Sequence, residues 1–152
     1  DDLVCFPVKC RVSYEDSWME ERTYGGKRGH EGTDLMPPTN QRGFYPVFSA
    51  TAGTVEHMGW LQKGGWRIGI RSEQGGYFYY AHLSKYAPGM EEGKTVEAGE
   101  MLGYMGDSGY GEEGTVGQFA VHLHFGIYIQ TADGREVSVD PYWILKGLEG
   151  EP

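Results

Sequence analysis

The sequence predicts a mainly β domain, and three observations predict it. Gly and Pro, 25 and 7 in number, recur along the whole chain as turn formers do. Between them stand short runs in which apolar and polar residues alternate with a period of two, as on half-buried strands. The aromatic share of 14% argues against disorder and suits strands.

Each element follows in order. Residues 1–29 carry little periodicity and read as loop with short strands, closing on the turn-prone Tyr24-Gly25-Gly26-Lys27-Arg28-Gly29. Residues 44–50 and 53–60 read as strands separated by small residues. Residues 66–71 alternate, Gln74-Gly75-Gly76 marks a turn, and residues 77–83 return, giving an antiparallel hairpin with His82 on the face of Phe78 and Tyr80. Residues 93–104 place two short strands around an Ala98-Gly99 corner, as small barrels do where the sheet bends. A Gly-rich loop over 107–118 leads into a strand over 121–129, whose Val121, Leu123, Phe125, Ile127 and Ile129 face a core. Pro141 and Gly147 bracket a short closing helix over 140–148.

Length and charge narrow the function. At 152 residues the chain is the size of one domain. A formal net charge of -9 disfavours a nucleic-acid partner, which would need clustered Lys and Arg. The apolar stretches fall short of the roughly 20 residues of a membrane-spanning helix. Because it opens at Asp1 without a Met, the chain reads as an excised or processed piece. Cys5 and Cys10 suit a small disulfide loop or a pair of free thiols equally well.

Of the five histidines, four fall in three suggestive places: His30 with Asp34, His82 at the end of an aromatic strand, and the pair His122 and His124. His57 has no such setting. In a strand, His122-Leu123-His124 puts two imidazoles on one face, costly to bury unless they bind something. The bland alternatives are an exposed polar face for that pair and a turn-capping role for Asp34. His30-Glu31-Gly32-Thr33-Asp34 is not the helical zincin motif, which needs a second His where Asp34 stands. Two His and one Asp would nonetheless complete a catalytic zinc site, which commonly takes three such ligands and leaves a fourth position for water.

Three segments, in order, resemble the signature motifs of lysostaphin/LytM-type zinc metallopeptidases: His30 and Asp34 with the intervening Gly32, Tyr80-Ala81-His82-Leu83, and His122-Leu123-His124-Phe125. Residues 49–55 and 93–103 are similar to that family's scaffold, so the resemblance covers roughly residues 24–129 of a single peptidase domain spanning 1–152. It implies an antiparallel β-sheet, the small barrel-like LytM (duplicated hybrid motif) fold, with a groove. One Zn2+ would be held by His30, Asp34 and His124, with His82 and His122 assigned to catalysis outside the metal's own shell. By analogy with aromatics near the family's site, Tyr24 becomes an oxyanion or groove residue. The implied substrates are peptidoglycan peptides, cut in the stem or the cross-bridge by a monomeric bacterial enzyme that is secreted or sits in the cell envelope. Since the bacterial wall is itself anionic, targeting segments are expected outside this chain.

Glu31 is set aside as a base, because on an extended segment it points away from His30. Tyr77, Tyr79, Trp60 and Trp66 read as core or solvent-facing strand residues. The loop over 110–120 looks longer and more acidic than the family's lead-in, which leaves substrate preference open. Two other classes compete: a non-catalytic binding or regulatory module that recruits a cell-wall enzyme or recognises the wall, and a biotinyl or lipoyl carrier presenting Lys63 on a hairpin tip. The first is weakened by the presence of all three ligands, and the second leaves four placed histidines unexplained.

Overall fold

The computed structural model describes residues 5–19, 21–22 and 28–149. Tyr24 lies outside these residues. Among them, antiparallel strands dominate and one short helix closes the chain. A two-stranded pair joins β1 (Glu21–Arg22) to β2 (Arg28–Gly29).

The strands that carry or flank most of the site belong to a nine-stranded sheet. Its main path runs β11 (Glu136–Val139), β10 (Leu123–Gln130), β7 (Tyr77–Tyr86), β6 (Gly65–Ser72), β5 (Gly53–Leu61) and β8 (Thr95–Val96). Off this path, β3 (Thr33–Leu35) pairs with β10, while β9 (Met101–Met105) pairs with both β4 (Pro46–Phe48) and β7. The hairpin of β6 and β7 forms where alternation and the Gln74-Gly75-Gly76 turn place it. The 95–105 region divides into β8 and β9 around Gly99. Asp140 accepts a hydrogen bond from the Tyr142 N–H at 3.0 Å and so caps α1 (Tyr142–Glu149), which buries Leu145.

The core is filled from alternate positions of these strands. Ile68 and Ile70 of β6, Phe78, Tyr80 and Leu83 of β7, and Leu123, Phe125 and Ile127 of β10 pack with Val47, Leu102 and Met105. Burying a side chain of this size contributes about 2 kcal/mol, so this cluster holds the strands that carry the histidines. Tyr80 is fully buried, and its hydroxyl accepts the Ala50 N–H at 2.9 Å, removing the cost of an unpaired polar atom.

Four expectations need correction. Residues 33–35, for which the sequence offers only a turn-capping Asp34, form β3, and residues 136–139, to which it assigns no element, form β11. Both are short strands whose stability comes from pairing with β10 rather than from their own periodicity. Ile129 is 45% exposed, because β10 outruns the packed part of the sheet. His82 does not share the face of Phe78 and Tyr80. Its φ of 66° lies in the left-handed region and breaks the alternation, so that Tyr79, Ala81 and His82 line one cavity while Leu83 returns to the core. Cys5 and Cys10 are free thiols. No helix among the described residues is long and apolar enough to cross a membrane.

Candidate metal centre and active site

Asp34 and His124 come together through strand register. In the antiparallel pairing of β3 with β10 they are direct partners, and His124 faces Ala81 of β7 on its other side. His30 enters from the segment just before β3. Its Nε2 lies 3.1 Å from Asp34 Oδ1 and 3.1 Å from His124 Nδ1, and His124 Nδ1 lies 3.0 Å from Asp34 Oδ1. These near-equal edges approach the separation of about 3.3 Å between neighbouring ligands of a tetrahedral ion with bonds of about 2.0–2.1 Å. Two nitrogens and a carboxylate oxygen also match the donors that a borderline divalent metal prefers.

The outer nitrogens of both imidazoles fix which atom faces inward. His124 Nε2 lies 3.0 Å from the Glu31 carbonyl, which only an N–H can satisfy, so Nδ1 is left with its lone pair toward the cluster. On the other side, His30 Nδ1 meets Ser17 Oγ at 3.1 Å and the Ser17 carbonyl at 3.3 Å, leaving Nε2 as the inward atom. Such outer contacts orient metal-binding histidines and raise their basicity.

The Glu31 carbonyl reaches His124 because Gly32 lets the chain pass close to β10. Gly32 has φ of 143°, and a Cβ there would meet the Phe125 carbonyl at 2.6 Å and the His124 ring at 2.9 Å. The Glu31 side chain points elsewhere, accepting the Tyr128 hydroxyl at 3.1 Å.

Beside the three-residue cluster stand His82 and His122, with ring centroids 4.9 Å apart. His122 keeps the alternation expected of it: Val121 and Leu123 are buried in the core, while His122 and His124 both line the cavity. Its Nδ1 lies 2.9 Å from the Ala120 carbonyl and its Nε2 is 3.7 Å from Asp34 Oδ1. His82 Nδ1 donates to the Ser108 carbonyl at 2.7 Å. In each ring the Nδ1–H is committed to backbone, and Nε2 is free to accept or return a proton.

Burial sets the electrostatics. Desolvation pushes His82 down to about 3, with the nearby His122 and His124 adding to the effect. His122 is lowered as well, again mainly by burial, with Asp34 opposing. For Asp34, burial raises the pKa, but hydrogen bonds from His124 and His30 outweigh it and hold the carboxyl well below the usual carboxylate range. The result is an ionised carboxylate ringed by imidazoles, two of which burial keeps neutral.

A cavity of about 290 Å3 opens over this group, lined also by Lys63, Gly64, Tyr79, Tyr110 and Phe119. Phe119 stacks edge-on against His82 at 4.6 Å and Tyr110 at 5.4 Å. His30, Asp34, His82, His122 and His124, the five site residues expected from the sequence, share the cavity. No motif marks Ser17, and neither Tyr110, in the Gly-rich loop over 107–118, nor Phe119, just beyond it, was expected in the site. Tyr79, read as a core or outer-face residue, is part of the lining. Lys63 stands at a hairpin tip as expected, but folded against the histidine cavity rather than presented free.

Fold and cluster together define a metallopeptidase-like β domain, and comparison with known proteins gives it a family. The chain belongs to Peptidase family M23, whose description matches residues 28–141. It is 44% identical over 144 residues to the L-Ala--D-Glu endopeptidase of Bacillus subtilis (strain 168), covering 94% of this chain and 42% of that protein. A crystal structure of a proposed glycyl-glycine endopeptidase lytM from Ruminococcus gnavus ATCC 29149 superposes with a TM-score of 0.88 at 57% identity, covering 97% of this chain and 61% of that one. Lysostaphin from Staphylococcus simulans aligns with a TM-score of 0.60 at 29% identity, over 81% of this chain and 47% of its own. The chain thus spans less than half the length of the curated Bacillus relative.

Proposed function

We propose that this chain is a zinc metalloendopeptidase that hydrolyses peptide bonds of bacterial peptidoglycan outside the cytoplasm, with one Zn2+ held by His30, Asp34 and His124. The observation that carries the reading is the cluster of three ligand atoms within 3.0–3.1 Å of one another, flanked by two imidazoles whose Nδ1 atoms are held by backbone carbonyls and whose Nε2 atoms make no hydrogen bond among the described residues. Held by His30, Asp34 and His124, a zinc ion would supply Lewis-acid polarisation of a substrate carbonyl and an acidified water with a pKa of about 7.

The remaining steps fall to this chain's own residues. His82 and His122, kept neutral by burial, offer Nε2 as proton acceptors near neutral pH. Once protonated, either imidazolium donates to the developing oxyanion or returns its proton to the leaving amine. The carbonyls of Ser108 and Ala120 hold each ring in one tautomer throughout. Tyr110 and Phe119 wall the cavity against bulk water on the His82 side.

Intact ligands and both imidazoles favour catalysis over a purely binding role. The bond cut lies in the stem peptide or the cross-bridge, and the Bacillus relative's name makes L-Ala–D-Glu the first bond to test. Purified peptidoglycan is incubated with the zinc-loaded chain and the released muropeptides are analysed by mass spectrometry. New amino and carboxyl termini at one peptide bond, abolished by a chelator and restored by zinc, support the reading. No release where a known relative is active overturns it.

A further inference from the structure

Lys63 stands out in the cavity wall. It sits between β5 and β6, and the tip is fixed on both sides: the Gly64 carbonyl accepts the His82 N–H at 2.8 Å, and the Gln62 carbonyl accepts the Gly111 N–H at 3.0 Å. Gly109 packs so closely that a Cβ on it would lie 2.3 Å from the Lys63 carbonyl, so the loop carrying Tyr110 is seated on this tip. Lys63 is therefore held beside His82 rather than waving from a surface hairpin.

Its charge is unbalanced locally. The chain carries 22 acidic against 13 basic side chains. Arg42 pairs with Asp107, Arg71 with Glu56 and Glu136, and Lys94 with Glu100. Lys63 is half-buried and has no ion-pair partner among the described residues, although Glu112 and Glu113 stand exposed on the neighbouring loop. Asp34, the carboxylate of the same cavity, is turned to its imidazoles. A partly desolvated ammonium with no ion-pair partner among the described residues, sharing its cavity with Tyr110 and Phe119, matches a substrate residue with an aliphatic stem and a free carboxylate.

We propose that Lys63, with Tyr110 and Phe119, forms a specificity subsite that recognises a free carboxylate on a residue next to the scissile bond. The site then prefers acidic stem peptides over glycine cross-bridges. This rests on the peptidase reading above and names its substrate class. Lys63 acts on binding, not on the chemical step, so its loss raises KM and leaves kcat nearly unchanged.

The test uses an L-Ala–D-Glu peptide with a free α-carboxylate, the same peptide as its α-carboxamide, and a ketomethylene isostere of each that cannot be cleaved. Wild type, Lys63→Met and Lys63→Arg are compared by kcat/KM on the cleavable pair and by calorimetric Kd on the isosteres. The expected result is a preference for the free acid of about tenfold in both readouts. Lys63→Met abolishes it by weakening the acid alone, and Lys63→Arg keeps it. Equal affinity for acid and amide in the wild type, or a preference that survives Lys63→Met, overturns the subsite. Should no peptide be cleaved and no muropeptide be released from peptidoglycan, the peptidase reading fails, and the isostere affinities still decide the subsite.

Discussion

Asp34 and His124 are register partners across the β3–β10 pairing, with Asp34 Oδ1 and His124 Nδ1 3.0 Å apart. Two residues distant in sequence are thereby fixed by main-chain pairing before any ion arrives, and only His30 is placed by a loop. A preformed pair of this kind lowers the ordering cost of metal binding.

The proposed zinc site separates the roles of the five polar residues. Replacing a ligand, as in Asp34→Ala or His30→Ala, weakens zinc binding by more than about a hundredfold and removes activity with it. His82→Ala and His122→Ala keep zinc while kcat falls by about 100- to 10 000-fold. Elemental analysis beside muropeptide turnover checks both halves, and loss of zinc from His82→Ala would contradict the division.

Gly32→Ala tests the close passage that lets the Glu31 carbonyl orient His124. A Cβ there meets the Phe125 carbonyl at 2.6 Å in a backbone conformation that L side chains rarely adopt. The variant is expected to lose about 1–3 kcal/mol of stability and to bind zinc more weakly. Denaturant unfolding and a competitive zinc titration measure the two effects.

Thr33 is fully buried in β3, and its hydroxyl has no hydrogen-bond partner among the described residues. Thr33→Val removes an unpaired polar atom while keeping a β-branched side chain in the strand. A gain of up to about 1 kcal/mol is expected from chemical denaturation. A loss of more than that would show that the hydroxyl is satisfied.

Acid sensitivity of the metal-free chain follows from His82. Its folded pKa is pushed down to about 3, mainly by burial, whereas an unfolded histidine titrates near about 6.5. Between these values the unfolded state binds more protons, so the contribution is complete above about 6.5 and declines as pH falls toward about 3. Denaturation of the chelator-treated chain across this window should give a smaller pH slope for His82→Gln than for wild type. Equal slopes would mean that folding does not lower the pKa of His82.

Much of this was legible in the sequence. The alternation around His122 and His124 placed both imidazoles on the cavity face, and the turn at Gln74-Gly75-Gly76 located the β6–β7 hairpin. The short β3 was illegible, since three residues cannot show a period and pairing with β10 alone makes them a strand. The direction of His82 was misjudged because a left-handed residue interrupts the alternation, and sequence patterning assumes none. Ser17 and the carbonyls of Glu31, Ser108 and Ala120 orient the histidines through chain geometry, which residue identity does not encode.

Zinc content of the chain, measured by elemental analysis after dialysis against zinc-free buffer, bears on the whole reading. One ion per chain is expected in the wild type and essentially none in Asp34→Ala or His124→Ala, with folded secondary structure retained in each. A wild-type chain without zinc, or ligand variants that hold it as firmly, would contradict the assignment of His30, Asp34 and His124.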